Sequence, residues 1–262
     1  MWYKVESIAL ISRDLMAGHS KWANIKHRKG KADARKGKVF SRIAKEIISA
    51  VKHGDPDPKN NPRLRLALQK ARMANVPNDI IERNIKKASS ADQADYYEMS
   101  YELYGHGGVG IYIDVMTDNK NRISSEMRIA TNKKGGTIAA PGAVAFNFDR
   151  KGLIRIAKKN AIEEELFLAA TEAGALDFEA EDDLFIITTE PQDFLNVKEA
   201  IIKLGFKPEE DELMMIPKIY VECDMETAKS NLALIDWLDE LEDVDAVFHN
   251  MKIPEELEED SQ

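Results

Sequence analysis

Apolar residues recur at helical spacing through the first third of the chain and at alternate positions over much of the remainder. From about Lys31, the residues Phe40, Ala44, Ile47, Ile48 and Val51 fall on one face and predict a helix with a single buried stripe. Asn61-Pro62 supplies an N-cap followed by proline at the first helical position. Leu64, Ala67, Leu68 and Ala71 then form the stripe of a second helix, leaving Arg63, Arg65, Lys70 and Arg72 outside. Val76-Pro77-Asn78 ends that helix and starts a third, in which Ile80, Ile81 and Ile85 face inward while Asp79/Arg83 and Glu82/Lys86 pair at four-residue spacing. These helices make a compact unit ending near Ser90. Residues 17–28 lack a long apolar period and read as an arm.

Past Ala91 the period becomes that of strands. Tyr97, Met99, Tyr101 and Leu103 alternate with polar residues, and residues 109–116 form a second apolar run, which predicts a hairpin. The intervening Gly105-His106-Gly107-Gly108-Val109-Gly110 matches a dinucleotide fingerprint by letter but runs into a strand instead of a helix. It therefore reads as a turn with positive φ at its glycines. Thr117-Asp118-Asn119 caps a helix whose inner face is Ile123, Met127 and Ala130. From Gly152, strand (153–156), helix (161–173), strand (175–180), strand (184–189), helix (194–204) and strand (213–216) follow in the βαββαβ order of a ferredoxin-like domain. A strand at 110–116, a helix at 119–132, strands at 144–148 and 219–223, a helix at 226–241 and a strand at 244–249 spell the same order around it.

The expected fold is therefore α+β: an N-terminal three-helix basic module followed by two ferredoxin-like α/β domains, one inserted in the other. The expected boundaries are an extension at 1–16, the basic helical domain at 17–90, a discontinuous domain at 91–150 plus 217–252, the insert at 151–216 and an acidic tail at 253–262. Met16 is a plausible start, which leaves residues 1–15 as an addendum.

Charge sharpens this division. Residues 17–90 carry a net +13, whereas residues 91–262 carry −22, so the overall −9 and pI of 5.2 conceal a basic module on an acidic body. Such asymmetry points to a nucleic-acid partner. Lys31, Arg35, Lys38, Arg42, Lys45 and Lys52 align along one side of the first helix, where mutual repulsion is relieved if a polyanion neutralises the row. With the first five of these, Lys31 to Lys45, the expected contact set is Lys21, Trp22, Lys26, His27, Arg28, Lys29, Lys36, Arg63 and Arg65. Trp22 and His27 are placed to stack on unpaired bases. A second contact loop, Asn119, Lys120 and Arg122, lies at a helix N-terminus suited to phosphate.

Other chemistries find little support. The five histidines include no close metal-ligand pair, and the acidic clusters lack the alternating ligands of a calcium loop. No nucleophile with a local base can be assembled, so no cofactor, metal or enzymatic activity is expected. The single Cys223 suits a reducing, cytosolic compartment and a small buried place in a strand. No apolar run reaches the length of a membrane span.

The runs MAGHSKWANIKHRKGKADARKGKVFSRIAKEI, PRLRLALQKARMANVPNDIIERNIKKAS and YELYGHGGVGIYIDVMTDNKNR resemble the YebC/PmpR family of regulatory proteins, whose mitochondrial members activate translation of cytochrome c oxidase subunit I. The resemblance covers residues 16 to about 251. It implies a three-domain, non-enzymatic cytoplasmic protein, described in bacteria as a DNA-binding transcriptional regulator. Relatives are also linked to ribosomes and to translation through proline-rich stretches. Duplex DNA and ribosomal RNA thus stand as alternative partners.

Overall fold

The computed structural model describes residues 32–88, 95–181, 183–254 and 256–257, with side chains from residue 37 onward. The expected extension, the arm and most of the acidic tail lie outside the described residues. The helices are α1 (Ala32–Lys52), α2 (Pro62–Met73), α3 (Asn78–Ala88), α4 (Lys120–Lys134), α5 (Glu163–Glu172), α6 (Phe194–Lys203) and α7 (Met225–Glu240). The strands are β1 (Tyr97–Tyr104), β2 (Gly110–Thr117), β3 (Thr137–Ile138), β4 (Phe148–Ala157), β5 (Ala175–Ala180), β6 (Leu184–Thr189), β7 (Glu210–Pro217), β8 (Val221–Glu222), β9 (Val244–His249) and β10 (Met251–Lys252). Two compact units result, one reaching Ala145 and resuming at Tyr220, the other spanning Phe146–Ile219.

In the first unit, α1 contributes Ile43, Ile47, Ile48 and Val51 to a core completed by Leu64, Ala67 and Ala71 of α2 and Ile81 of α3. The Asn61 carboxamide accepts from the Leu64 amide at 3.0 Å and donates to the carbonyls of Ala50 and Asp55 at 2.8 and 2.9 Å. One buried side chain thus caps α2 and ties it to the end of α1.

The sheet of this unit has the order β3-β1-β2-β9 with antiparallel neighbours. Leu103, Ile111, Ile113 and Val115 of the sheet pack on Ile123, Met127 and Ala130 of α4 and on Leu234 and Leu238 of α7. In ferredoxin-like terms β2, β3 and β9 hold the first, second and fourth places, while β1, which precedes them all, holds the third.

The expected strand at 144–148 is corrected here. The buried Glu102 carboxylate accepts from the amides of Gly142, Val144 and Ala145 at 2.6, 2.6 and 2.8 Å, committing this stretch to a loop. Residues 145–147 form a short 3-10 turn, and Phe148 begins β4 of the other unit. The segment expected as a strand at 219–223 shortens to β8, which pairs in parallel with β10 and joins neither four-stranded sheet. Cys223 lies just past it and is half-buried.

The glycine-rich run is a structural clasp. Gly107 and Gly108 have φ of 66° and 79°, and the fully buried Asn231 of α7 accepts from the His106 amide at 2.8 Å and donates to its carbonyl at 3.0 Å. A side chain on Gly105 would place its Cβ 2.3 Å from Asn231 Oδ1.

The second unit has the sheet order β5-β6-β4-β7, antiparallel throughout, which is the ferredoxin-like layout. Ile154, Ile156, Phe185 and Ile187 pack on Leu166 and Ala170 of α5 and on Val197 and Ile201 of α6. Two cations are buried here, Arg155 with Glu210 and Lys198 with Asp211. β4 is one strand of ten residues, paired with β7 from Phe148↔Pro217 to Arg155↔Glu210. The link expected at 149–152 is thus part of a strand, and boundaries at 151 and 216 cut through paired residues. The molecule is α+β, with N-terminal helices followed by two ferredoxin-like sheets, the second inserted in sequence within the first.

Because the ends of the insert are adjacent, with the Lys218 amide donating to the Asn147 carbonyl at 2.8 Å, residues 146–219 are expected to be removable. A chain bridged from Ala145 to Tyr220 by a short Gly-Ser linker should retain helical circular dichroism and a cooperative melt. Recovery of only unfolded or aggregated protein counts against this division.

Candidate nucleic-acid interface

Lys38, Arg42 and Lys45 of the cationic row on α1 do not lie open to solvent. Lys38 Nζ donates to the Asp239 main-chain carbonyl and lies 3.2 Å from the Asp239 carboxylate. Arg42 pairs with Glu46 at 3.2 Å and Asp245 at 3.7 Å. Burial disfavours the charge on Arg42, but Asp245, Glu46 and Asp114 more than offset this and raise its pKa. Lys45 is only 8% exposed. Its ammonium donates to the carbonyls of Met116 and Glu242 at 2.9 and 3.4 Å and lies 3.8 Å from Asp243. Lys38, Arg42 and Lys45, expected along a phosphate-binding face, are thus engaged by carboxylates and carbonyls of the same unit.

Asp243 is the centre of this contact, and the sequence reading missed it. Its buried carboxylate accepts from Thr117 Oγ1 at 2.8 Å and from Arg122 Nε and Nη2 at 2.9 and 2.6 Å. Arg122 also reaches Asp118 at 2.7 Å, and these carboxylate hydrogen bonds raise its pKa. The loop expected to receive phosphate is thus largely self-satisfied. Asn119 caps α4 by accepting from the amides of Asn121 and Arg122 at 3.1 and 3.0 Å. Lys120 is exposed and sits over the Tyr97 ring at 4.1 Å.

α2 presents the clearer surface. Arg63, Arg65 and Arg72 are exposed, and Arg65, Gln69 and Arg72 follow one another at steps of four and three along its outer side. Arg65 Nη1 donates to the carbonyls of Pro58 and Lys59, each at 3.1 Å, which holds the guanidinium along the preceding turn. Lys70 is drawn away to Glu46 at 2.9 Å. Arg72 was absent from the expected contact set, although its seven-residue spacing from Arg65 was the available signal. Lys21, Trp22, Lys26, His27, Arg28, Lys29 and Lys31 lie outside the described residues, as do the side chains of Arg35 and Lys36.

Among the described residues no group of three or more His, Cys, Asp or Glu side chains is disposed to hold a metal ion, and no helix is long and apolar enough to cross a membrane.

Known proteins share both halves of this architecture. Residues 20–91 match the TACO1/YebC N-terminal domain, and residues 96–251 match the TACO1/YebC second and third domain. A probable transcriptional regulatory protein of Protochlamydia amoebophila is 79% identical over 243 residues, covering 93% of this chain and 99% of the relative. One from Chlamydia pneumoniae is 56% identical over 237 residues, covering 90% and 100%. The crystal structure of a conserved hypothetical protein from Aquifex aeolicus superposes with a TM-score of 0.70 at 41% identity, covering 85% of this chain and 93% of that one. With the helical module and both later domains matched, the chain belongs to the TACO1/YebC family of regulatory proteins.

Proposed function

We propose that this chain is a non-enzymatic cytoplasmic regulator that binds DNA in transcriptional control through its N-terminal helical module. The carrying observation is the net +13 of residues 17–90 together with the exposed arginines of α2, since Lys38, Arg42 and Lys45 of α1 are engaged internally. Exposed guanidinium groups on a helix face suit a phosphate backbone, and the sequence of the arm carries further cations. The names borne by the chlamydial relatives support the transcriptional reading. A second reading, a translation factor on ribosomal RNA, has its own support in Trp22 and His27 within the cationic arm, where stacking on unpaired bases is available.

Reversing Arg63, Arg65 and Arg72 to Glu is expected to abolish nucleic-acid binding with only a small fall in Tm, from the loss of the Arg65 bonds to the Pro58 and Lys59 carbonyls. Arg72→Ala alone should reduce the slope of log affinity against log salt by about one. Titrations of duplex DNA and of structured ribosomal RNA across several salt concentrations distinguish the two readings. Wild-type affinity of the triple variant for both nucleic acids, with its helices intact, would remove the basis of the proposal.

A further inference from the structure

Residues 161–183 carry nine Asp and Glu and no Lys or Arg, as many negative charges as the net −9 of the whole chain. The same stretch exposes large apolar side chains: Ile162 is 60% exposed, Phe167 50%, Leu168 57% and Leu176 56%. Phe167 of α5 stands edge-on to Phe178 of β5, with ring centroids 5.4 Å apart, so the apolar surface of the helix continues onto that strand. Among the described residues β5 is also the outer strand of its sheet, paired with β6 on one side only. Its unpaired edge carries backbone donors and acceptors capable of receiving another strand.

We infer that the β5 edge is a docking site for an extended protein segment in which Lys or Arg alternates with large apolar residues. Acidic residues such as Asp177 and Glu179 suffice to keep an edge soluble, but they do not account for the large exposed apolar groups beside it. An alternating cationic strand meets all three features: main-chain pairing with β5, attraction to Asp177 and to the acidic run around it, and apolar contact with Leu176, Phe167 and Leu168. A second copy fits poorly, because antiparallel β5–β5 pairing brings the acidic strand of one molecule against that of the other.

The probe is an alternating Lys-Val octapeptide titrated into the full chain, with octalysine as the charge control. Hydrogen exchange supplies the site readout. The alternating peptide is expected to slow exchange of the amides at 175–180 and to bind at least about tenfold more tightly than octalysine. Leu176→Lys should weaken it by a similar factor. Leu168→Ser, which leaves the strand untouched, should also weaken binding and so guards against local unfolding of the edge. Equal binding of octalysine, protection elsewhere than β5, or unchanged affinity in both variants overturns the proposal. Concentration-dependent dimerisation that protects β5 without peptide would assign the edge to a second copy and overturn it as well.

Discussion

Replacing Asp243 with Ala is expected to destabilise the helical module and its attached sheet by about 3 kcal/mol, the lower end of the cost of removing one partner from a buried charge network. The carboxylate accepts three hydrogen bonds from Thr117 and Arg122 and lies 3.8 Å from Lys45. Removing it strands these donors unequally. Arg122 keeps Asp118 and can turn to water, which limits its share of the loss, whereas Lys45 is buried and keeps only neutral carbonyls among its close oxygen partners. Urea unfolding of Asp243→Ala beside Asp243→Asn measures the effect, with the amide variant losing less because it keeps one acceptor for Thr117. A loss below about 1 kcal/mol for Asp243→Ala would show that the network contributes only as much as an exposed ion pair. Nucleic-acid binding by the folded fraction should persist, since the exposed arginines of α2 stand apart from this cluster.

Local signals carried much of the fold. Asn61-Pro62 announced the start of α2, and Asn119 that of α4, because a cap and the amides it satisfies lie within three residues of each other. The inserted ferredoxin-like sheet was legible for a similar reason: its strands and helices alternate in a complete βαββαβ run, and its observed strand order is the one that run implies. What escaped was non-local. β1 was read correctly as half of a hairpin, but its capture of the third place in the outer sheet depends on β3, over thirty residues on, and on the loop bound by Glu102. The internal partners of Lys38, Arg42 and Lys45 escaped for a related reason. A row of positive charges on a helix looks the same in sequence whether phosphate or carboxylate faces it, and the carboxylates that face Lys38, Arg42 and Lys45 lie about two hundred residues away, at Asp239, Asp243 and Asp245. Their clustering at the end of α7 was visible. Its destination was not.

The stability of this contact should also depend on pH in an unusual direction. Loss of solvent pushes the Asp245 carboxyl up to about 6; Arg42 and Lys45 oppose the shift, while Asp114 and Glu46 reinforce it. An ordinary carboxyl titrates near 3.9 in the unfolded chain, so between about pH 4 and 6 the native state holds a proton that the unfolded state has released. Asp245 therefore contributes stability that is complete below pH 4, declines as pH rises through 6 and is absent above it; a shift of this size corresponds to at most about 3 kcal/mol. Glu102 works with the opposite sign. Burial raises its pKa, but the three amides outweigh burial and hold it below the usual carboxylate range, so its contribution is present at neutral pH and is lost on acidification through that range. Together they favour maximal stability at mildly acidic pH. In Asp245→Asn the first dependence should vanish. The variant is expected to match the parent near pH 4, to melt progressively higher than it as pH rises to 6, and to keep a constant advantage above that. The attraction of Arg42 does not reverse this expectation, because the upward shift is what remains after that attraction has acted. Thermal melts of both proteins from pH 4 to 8 supply the measurement, and curves that run parallel across the whole range would show that Asp245 is charged in the folded protein throughout.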